Sequence, residues 1–236
     1  MRPAIAALIA VVLATGLAGE VRAQAPLTGD VLYRVTWLRA GPGRLQELVT
    51  HMKTVASQGA GPSRPLVIRH SQGDQWDFMV LAPVGTYAAH FALPGASSPL
   101  APAELVAWQE DEFVRGPDVW QIESFQSARL FHVEMFNALA GKSAELVRER
   151  EMENAYLAAV GRPLNAIFRR ELGASWDVFT VGAYRDWRHY GERDLITADR
   201  AAAAARAAGF ASDEAIGPYM RSLINTHHDT LATRVQ

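Results

Sequence analysis

The chain has 236 residues, no cysteine, 49% hydrophobic and 20% charged residues, and a formal net charge of −2. The missing cysteines exclude disulfides, thiol chemistry and Cys-ligated metals. The near-neutral charge excludes nucleic-acid or polyanion binding through bulk electrostatics, and the length suits one large domain or two small ones.

Residues 1–3 are a short basic start, residues 4–18 are almost wholly apolar, and VRA (21–23) or AQA (23–25) offers a small-residue cleavage site. That is the layout of a secretory signal peptide. The apolar run is shorter than the roughly 20 residues a spanning helix needs. The expectation is a periplasmic or secreted protein, with residues 1–25 removed and no integral membrane segment left.

Residues 31–39 alternate Val31, Tyr33, Val35, Trp37 against Leu32, Arg34, Thr36, Leu38, which predicts a strand. Residues 44–57 put Leu45, Leu48, Val49, Met52 and Val55 on one helical stripe. Strands follow at 66–71 and 76–83, with Gly73 and Asp74 between them as a hairpin turn. A short helix is predicted near 86–91 and a trailing helix over 102–114, with Pro102 in its first turn. The pattern then recurs: strand 129–137, helix 142–159, strands 165–171 and 176–184, and a short helix 186–190. RAAAAARAAG (200–209) reads as a helix ended by Gly209, and 218–235 reads as a second trailing helix.

The recurrence is also literal. RHSQGDQWD (69–77) matches RRELGASWD (169–177) at Arg69, Gly73, Trp76 and Asp77. LYRVTWLRAGPGRLQELV (32–49) matches LFHVEMFNALAGKSAELV (130–147) without a gap, at an offset of 98. Two blocks in the same order point to an internal duplication, with copies over 28–127 and 128–236. Each copy reads as a β-α-β-β-α unit, which is ferredoxin-like. Two such sheets can bury their bare faces against each other. The expected fold is α+β: two ferredoxin-like repeats packed as a pseudo-twofold barrel, with extra C-terminal helices.

On this duplication the chain resembles the dimeric α+β barrel superfamily, in a tandem single-chain form, over roughly residues 28–192. The resemblance rests on pattern and not on a diagnostic motif. The superfamily includes cofactor-independent monooxygenases and cyclases as well as haem enzymes.

If the apolar strand rows meet the helices, then Arg34, Arg69, His132, Glu134, Arg169 and Glu171 face the space between the sheets. Such groups need partners or a ligand. As a site, Arg34, Arg69 and Arg169 would clamp an anion, Trp37 and Glu171 would add contacts, and His132 or Glu134 would move a proton. The alternative is a salt-bridge layer between two sheets. On a 218–235 helix, His227 lies on the stripe of Met220, Ile224 and Leu231 with His228 beside it, a place for an axial haem ligand. WQEDE (108–112) and REREME (148–153) read as solvated helix faces. The chain carries no HExxH, no phosphate-binding glycine loop, no G-x-S-x-G elbow and no EF-hand loop.

The leading expectation is a binding protein for a small anionic or aromatic molecule, without cofactor or metal. It would be a monomer with an internal pseudo-dimer, or a homodimer. The alternatives are a cofactor-independent monooxygenase or cyclase, and a haem protein using His227 or His228.

Overall fold

Strand β1 (Val31–Ala40) is buried on both faces at its centre: Tyr33, Val35 and Trp37 on one, Leu32, Thr36 and Leu38 on the other. A strand of this kind must be covered twice. In the computed structural model, which describes residues 27–72, 75–173 and 175–236, one cover is an opposing sheet and the other a helix.

The elements run β1, α1 (Leu45–Ala56), β2 (Leu66–Gln72), β3 (Phe78–Gly85), α2 (Tyr87–Phe91) and β4 (Val106–Gly116). Then come α3 (Glu123–Ser127), β5 (Leu130–Ala138), α4 (Ser143–Ala159), β6 (Asn165–Gly173), β7 (Val178–Tyr184) and α5 (Trp187–Gly191). The chain ends with α6 (Ala198–Ala207), α7 (Ile216–Arg221) and β8 (Ile224–Arg234). The strands close into an antiparallel barrel in the order β4-β1-β3-β2-β8-β5-β7-β6, with β6 returning to β4. The first four strands in that order form the first-half sheet and the last four the second-half sheet.

The core sits inside the barrel. Tyr33, Val35, Trp37, Ile68, Met79, Phe131, Val133, Phe168, Phe179 and Val181 meet there. Phe168 stacks on Phe179 at 4.6 Å and meets Tyr33 edge-on at 5.8 Å. A Cβ on Gly116 would lie 2.2 Å from the Phe168 ring, so this ring's seat requires glycine. Helix α1 lays Leu48, Met52 and Val55 on the outside of the first-half sheet, over Leu38, Val67, Phe78 and Val80. Helix α4 covers the second-half sheet the same way, with Leu146 over Phe136, Ile167 and Val178.

Two sequence expectations are corrected here. Residues 102–114 and 218–235 are not helices. The first is a 3-10 turn leading into β4, and the second is the short α7 followed by β8. Each supplies the fourth strand of its sheet. Charges on both faces of 108–112 suggested helical pairing, but they alternate across a strand instead. The face assignment is also inverted. The row of Tyr33, Val35 and Trp37 fills the barrel, so Arg34, Arg69, His132, Glu134, Arg169 and Glu171 lie on the outer surface of the sheets.

The repeated Trp-Asp pair has a structural role in both halves. Asp77 Oδ2 accepts from the Ala40 amide at 2.7 Å, and Asp177 Oδ2 from that of Ala138 at 2.9 Å. Their own amides donate to Leu38 O and Phe136 O. Each Asp thus latches the end of the first strand of its half, and the preceding Trp enters the core. Gly173 has φ +78, and a Cβ there would lie 2.9 Å from Asp111 O. The turn assigned to Gly73 and Asp74, and the signal peptide of residues 1–25, lie outside the described residues. Among the described residues no helix is long and apolar enough to cross a membrane.

Candidate functional site

The outer face of the second-half sheet is only partly apolar under α4. His132 and Glu134 project from β5, Thr180 from β7, and His227 and Asp229 from β8. Helix α4 sets Glu149, Arg150 and Glu153 above them, with Glu149 and Arg150 only 0% and 3% exposed. Arg150 grips Glu149 with a fork, Nε to Oε2 at 2.6 Å and Nη2 to Oε1 at 2.8 Å. Its Nη1 lies 2.5 Å from Glu153 Oε2 and 3.8 Å from Glu134 Oε2. Its guanidinium also stacks over Phe136. Glu134 receives a hydrogen bond from Thr180 Oγ1 at 3.2 Å, and His227 Nε2 stands 3.4 Å from its other oxygen. His132 lies between two carboxylates, with Nε2 3.4 Å from Asp229 Oδ1 and Nδ1 4.0 Å from Glu134 Oε2.

Three carboxylates around one guanidinium cannot all ionise without cost. Burial, reinforced by its acidic neighbours, pushes Glu153 above the ordinary carboxylate range against the pull of Arg150. Burial raises Glu149 as well. Glu134 goes the other way: burial would raise it, but His227, His132 and Arg150 together hold it low. Burial would lower His132, yet Asp229, Glu134 and Glu153 outweigh it and raise its pKa. The cluster therefore holds a fixed anion, Glu134, a histidine made more basic, and an acid, Glu153, that keeps its proton toward neutrality.

A cavity of about 510 Å³ opens onto this cluster. Its floor is His132, Glu134, Glu153 and Asp229, and its walls include Tyr184, Tyr190, Arg162 and Arg193. Asn154 exchanges two 2.8 Å hydrogen bonds with the backbone of Asn165, pinning α4 to the start of β6. The buried Asn165 Oδ1, in the lining, has no partner among the described residues. The outer wall comes from α5 and the segment between it and α6; Tyr190 of α5 sits 5.7 Å from the His132 ring and 5.2 Å from Tyr184. Burial pushes the Tyr184 hydroxyl up to about 12, so it stays a donor.

The matching place in the first half is filled. Arg34 forks onto Asp111 with two 3.0 Å bonds and donates to Ala96 O and Ser98 O of the segment after α2. Thr36 Oγ1 donates to Asp111 at 2.5 Å. Arg34 is thus held by Asp111 and two backbone carbonyls, while His90 Nε2 beside it has no partner among the described residues.

The structure brings together three of the residues proposed from sequence, His132, Glu134 and His227, and separates the rest. Arg69 is exposed. Arg169 pairs with Asp30 at 3.1 Å and Glu171 with Arg115 at 3.0 Å, both at the surface. Trp37 is inside the barrel, where its Nε1 donates to Glu112 Oε1 at 2.7 Å. His227 and His228 are on a strand, so they point to opposite faces: His227 stacks on Phe136 at 4.8 Å and His228 lies 5.0 Å from Trp176. The helix-histidine argument for haem therefore falls. The cavity lining does not suit haem either, since Glu134, Glu153, Asp194, Asp229, Arg162 and Arg193 line it where a porphyrin needs apolar walls. Sequence reasoning did not single out Glu149, Arg150, Glu153 or Asp229; within REREME, Glu149 and Arg150 are buried and Glu153 is half-buried, while Arg148 and Glu151 are exposed.

No family profile matches this chain, and no curated protein matches it. Solved structures do. An anthrone oxidase-like protein aligns with TM-score 0.61 at 10% identity, covering 88% of this chain and 92% of its own. A candidate monooxygenase from Lactobacillus acidophilus aligns at TM-score 0.55 and 6% identity, over 88% and 95% of the two chains. Another from Fusobacterium nucleatum gives 0.53 and 11%, over 88% and 94%. The chain has the dimeric α+β barrel fold. At these identities the likeness concerns fold alone.

Proposed function

We propose that the chain is an oxidase or monooxygenase-type enzyme whose second-half cavity removes a proton from a small, weakly acidic aromatic compound. One observation carries this reading: an open cavity whose floor is a buried, over-acidic ion cluster around a histidine. A histidine made more basic by neighbouring carboxylates and opening onto a cavity is the arrangement a general base needs. The neutral imidazole of His132 accepts the proton, and Asp229 and Glu134 stabilise the imidazolium that forms. Arg162 and Arg193 at the wall favour the resulting anion, and Tyr184 and Tyr190 flank an aromatic ring.

For an anthrone-like substrate the carbanion then gives its electrons to dioxygen. The CH₂ becomes C=O, one oxygen atom enters the product and the other leaves as water. This choice of class follows the name carried by the anthrone oxidase-like neighbour.

The test is oxygen uptake with an anthrone in the dark, against the spontaneous rate. Acceleration by the protein that falls by about a hundredfold in His132→Asn is expected for a general base. No acceleration, or an unaffected variant, would sink the proposal.

The two halves have matching strand orders, β4-β1-β3-β2 and β8-β5-β7-β6, which supports reading them as tandem ferredoxin-like repeats. We also propose an exported, periplasmic or secreted location on the signal-peptide pattern of residues 1–25, and N-terminal sequencing of the mature protein tests it.

A further inference from the structure

The second-half cavity is lined by two polar groups that the removal of a proton by His132 does not use. Asn165 of β6, Gly182 of β7 and His132 of β5 stand in one row across the outer face of the sheet. A Cβ on Gly182 would lie 2.6 Å from Asn165 Oδ1 and 3.4 Å from the Tyr184 hydroxyl, so both side chains lie over this one glycine. Neighbouring strands are about 4.8 Å apart, which puts the pair one strand away from His132. Asn165 and Tyr184 line the same cavity as His132.

Neither group has a partner among the described residues. The Tyr184 hydroxyl donates to none of them, although the residue is buried. The Asn165 side chain makes no hydrogen bond with them either, because its bonds to Asn154 come from the backbone. Its Oδ1 is enclosed, which leaves the amino end to meet the cavity. Buried polar groups are paired in the great majority of cases. Two unpaired donors side by side, next to a base, are the arrangement that receives a developing oxyanion. The Arg162 guanidinium lies over the Tyr184 ring at 5.7 Å, which strengthens the hydroxyl as a donor. The first half has no such pair. At the offset of 100 that aligns Trp76 with Trp176, Asn165, Gly182 and Tyr184 fall on Pro65, Ala82 and Val84.

We infer that the Tyr184 hydroxyl and the Asn165 amino group bind a carbonyl oxygen of the substrate, which is therefore a ring ketone whose acidic CH₂ is conjugated with that carbonyl. The inference rests on the proton removal proposed above. His132 takes the proton from the CH₂. The electron pair of the broken C–H bond spreads through the ring onto the carbonyl oxygen, and the enolate oxygen receives both hydrogen bonds. No other bond changes in this step.

The test has two readouts on the full chain, one of which needs no turnover. The first is kcat/KM for oxygen uptake with anthrone. Tyr184→Phe keeps the ring and Asn165→Leu keeps the bulk, and each should lower kcat/KM by about a hundredfold, the scale of one lost oxyanion donor. The second is fluorescence titration with 2-naphthol, whose oxygen stands in for that of the enolate. It should bind wild type one to one and each variant about tenfold more weakly, the scale of one strong hydrogen bond. If wild type does not accelerate anthrone oxidation, the proposed activity fails, while 2-naphthol binding that weakens in both variants still upholds the oxygen site. Turnover that neither variant lowers, 2-naphthol binding that neither weakens, or no binding at millimolar 2-naphthol would each overturn the inference.

Discussion

His132 and Asp229 face each other across β5 and β8, Nε2 3.4 Å from Oδ1, where the first half places Arg34 against Asp111. The first-half pair is a closed fork with its remaining donors spent on backbone carbonyls. The second-half pair has an ionisable, basic partner and opens onto a cavity. The same strand geometry thus holds a structural pair on one side and a titratable one on the other.

That pair makes a prediction about pH. Asp229 helps hold the pKa of His132 up. A base works in its neutral form, so activity rises as pH climbs through the ionisation of His132. Asp229→Asn removes a raising influence, and the acidic limb of the pH–rate profile should move to lower pH. The rate on the plateau should also fall, by about tenfold, since the imidazolium loses a stabilising charge. A limb that stays in place would show that another group is the base.

Arg150 makes a prediction about stability. Removing it strands Glu134, Glu149 and Glu153 without their cation, so Arg150→Met should cost about 3–5 kcal/mol in denaturant unfolding at neutral pH. Replacing the cluster whole is different. Glu134→Thr, Glu149→His, Arg150→Met and Glu153→Val together write the first-half residues onto the second half. Buried ion clusters exchanged for well-packed side chains are often neutral or better. The quadruple variant should regain wild-type stability and lose all activity.

That graft also shows what the sequence could have revealed. At the offset of 98 that aligns the two blocks, Leu48 falls on Leu146, but Met52 falls on Arg150 and Val55 on Glu153. Two core positions of one copy are charged in the other, and the change was visible. Charge-dense runs are usually solvated, as with Lys142 and Glu145 at the start of α4, so the run by itself does not signal burial. The two latching aspartates and the core strands were legible, since alternation and literal repetition carry that information. The fourth strands were not: WQEDE and INTHHDTL have polar residues on both faces, because one face meets water or a cavity rim and the other a buried polar group. The inside and outside of the barrel were also undetermined, since β1 is apolar on both sides and periodicity alone cannot say which side meets the helix.

The histidine placement bears on haem. With His227 turned to Glu134 and His228 beside Trp176, neither is offered to a metal on an apolar face. Purified protein should be colourless, and titration with haemin should give no Soret band of one-to-one stoichiometry. A band that disappears in His227→Ala would overturn this assignment and the fit argument behind it.

Glu112 makes the last prediction, one that needs no substrate. Burial, opposed by the Trp37 hydrogen bond, pushes its carboxyl up to about 7 from 4.5. The folded chain therefore holds this proton more tightly than the unfolded chain. Below about pH 4 both forms are protonated and the group is neutral in its effect. Between about 4.5 and 7 the unfolded chain releases the proton first, so this group's contribution to stability falls with rising pH and levels off above 7. The full loss is on the order of 3 kcal/mol. Glu112→Gln keeps an acceptor for Trp37 and cannot ionise. It should match wild type at acid pH and exceed it in denaturant midpoint at pH 8, with the gap opening between those limits. A constant gap across that range would mean that Glu112 ionises in the folded barrel as readily as in water.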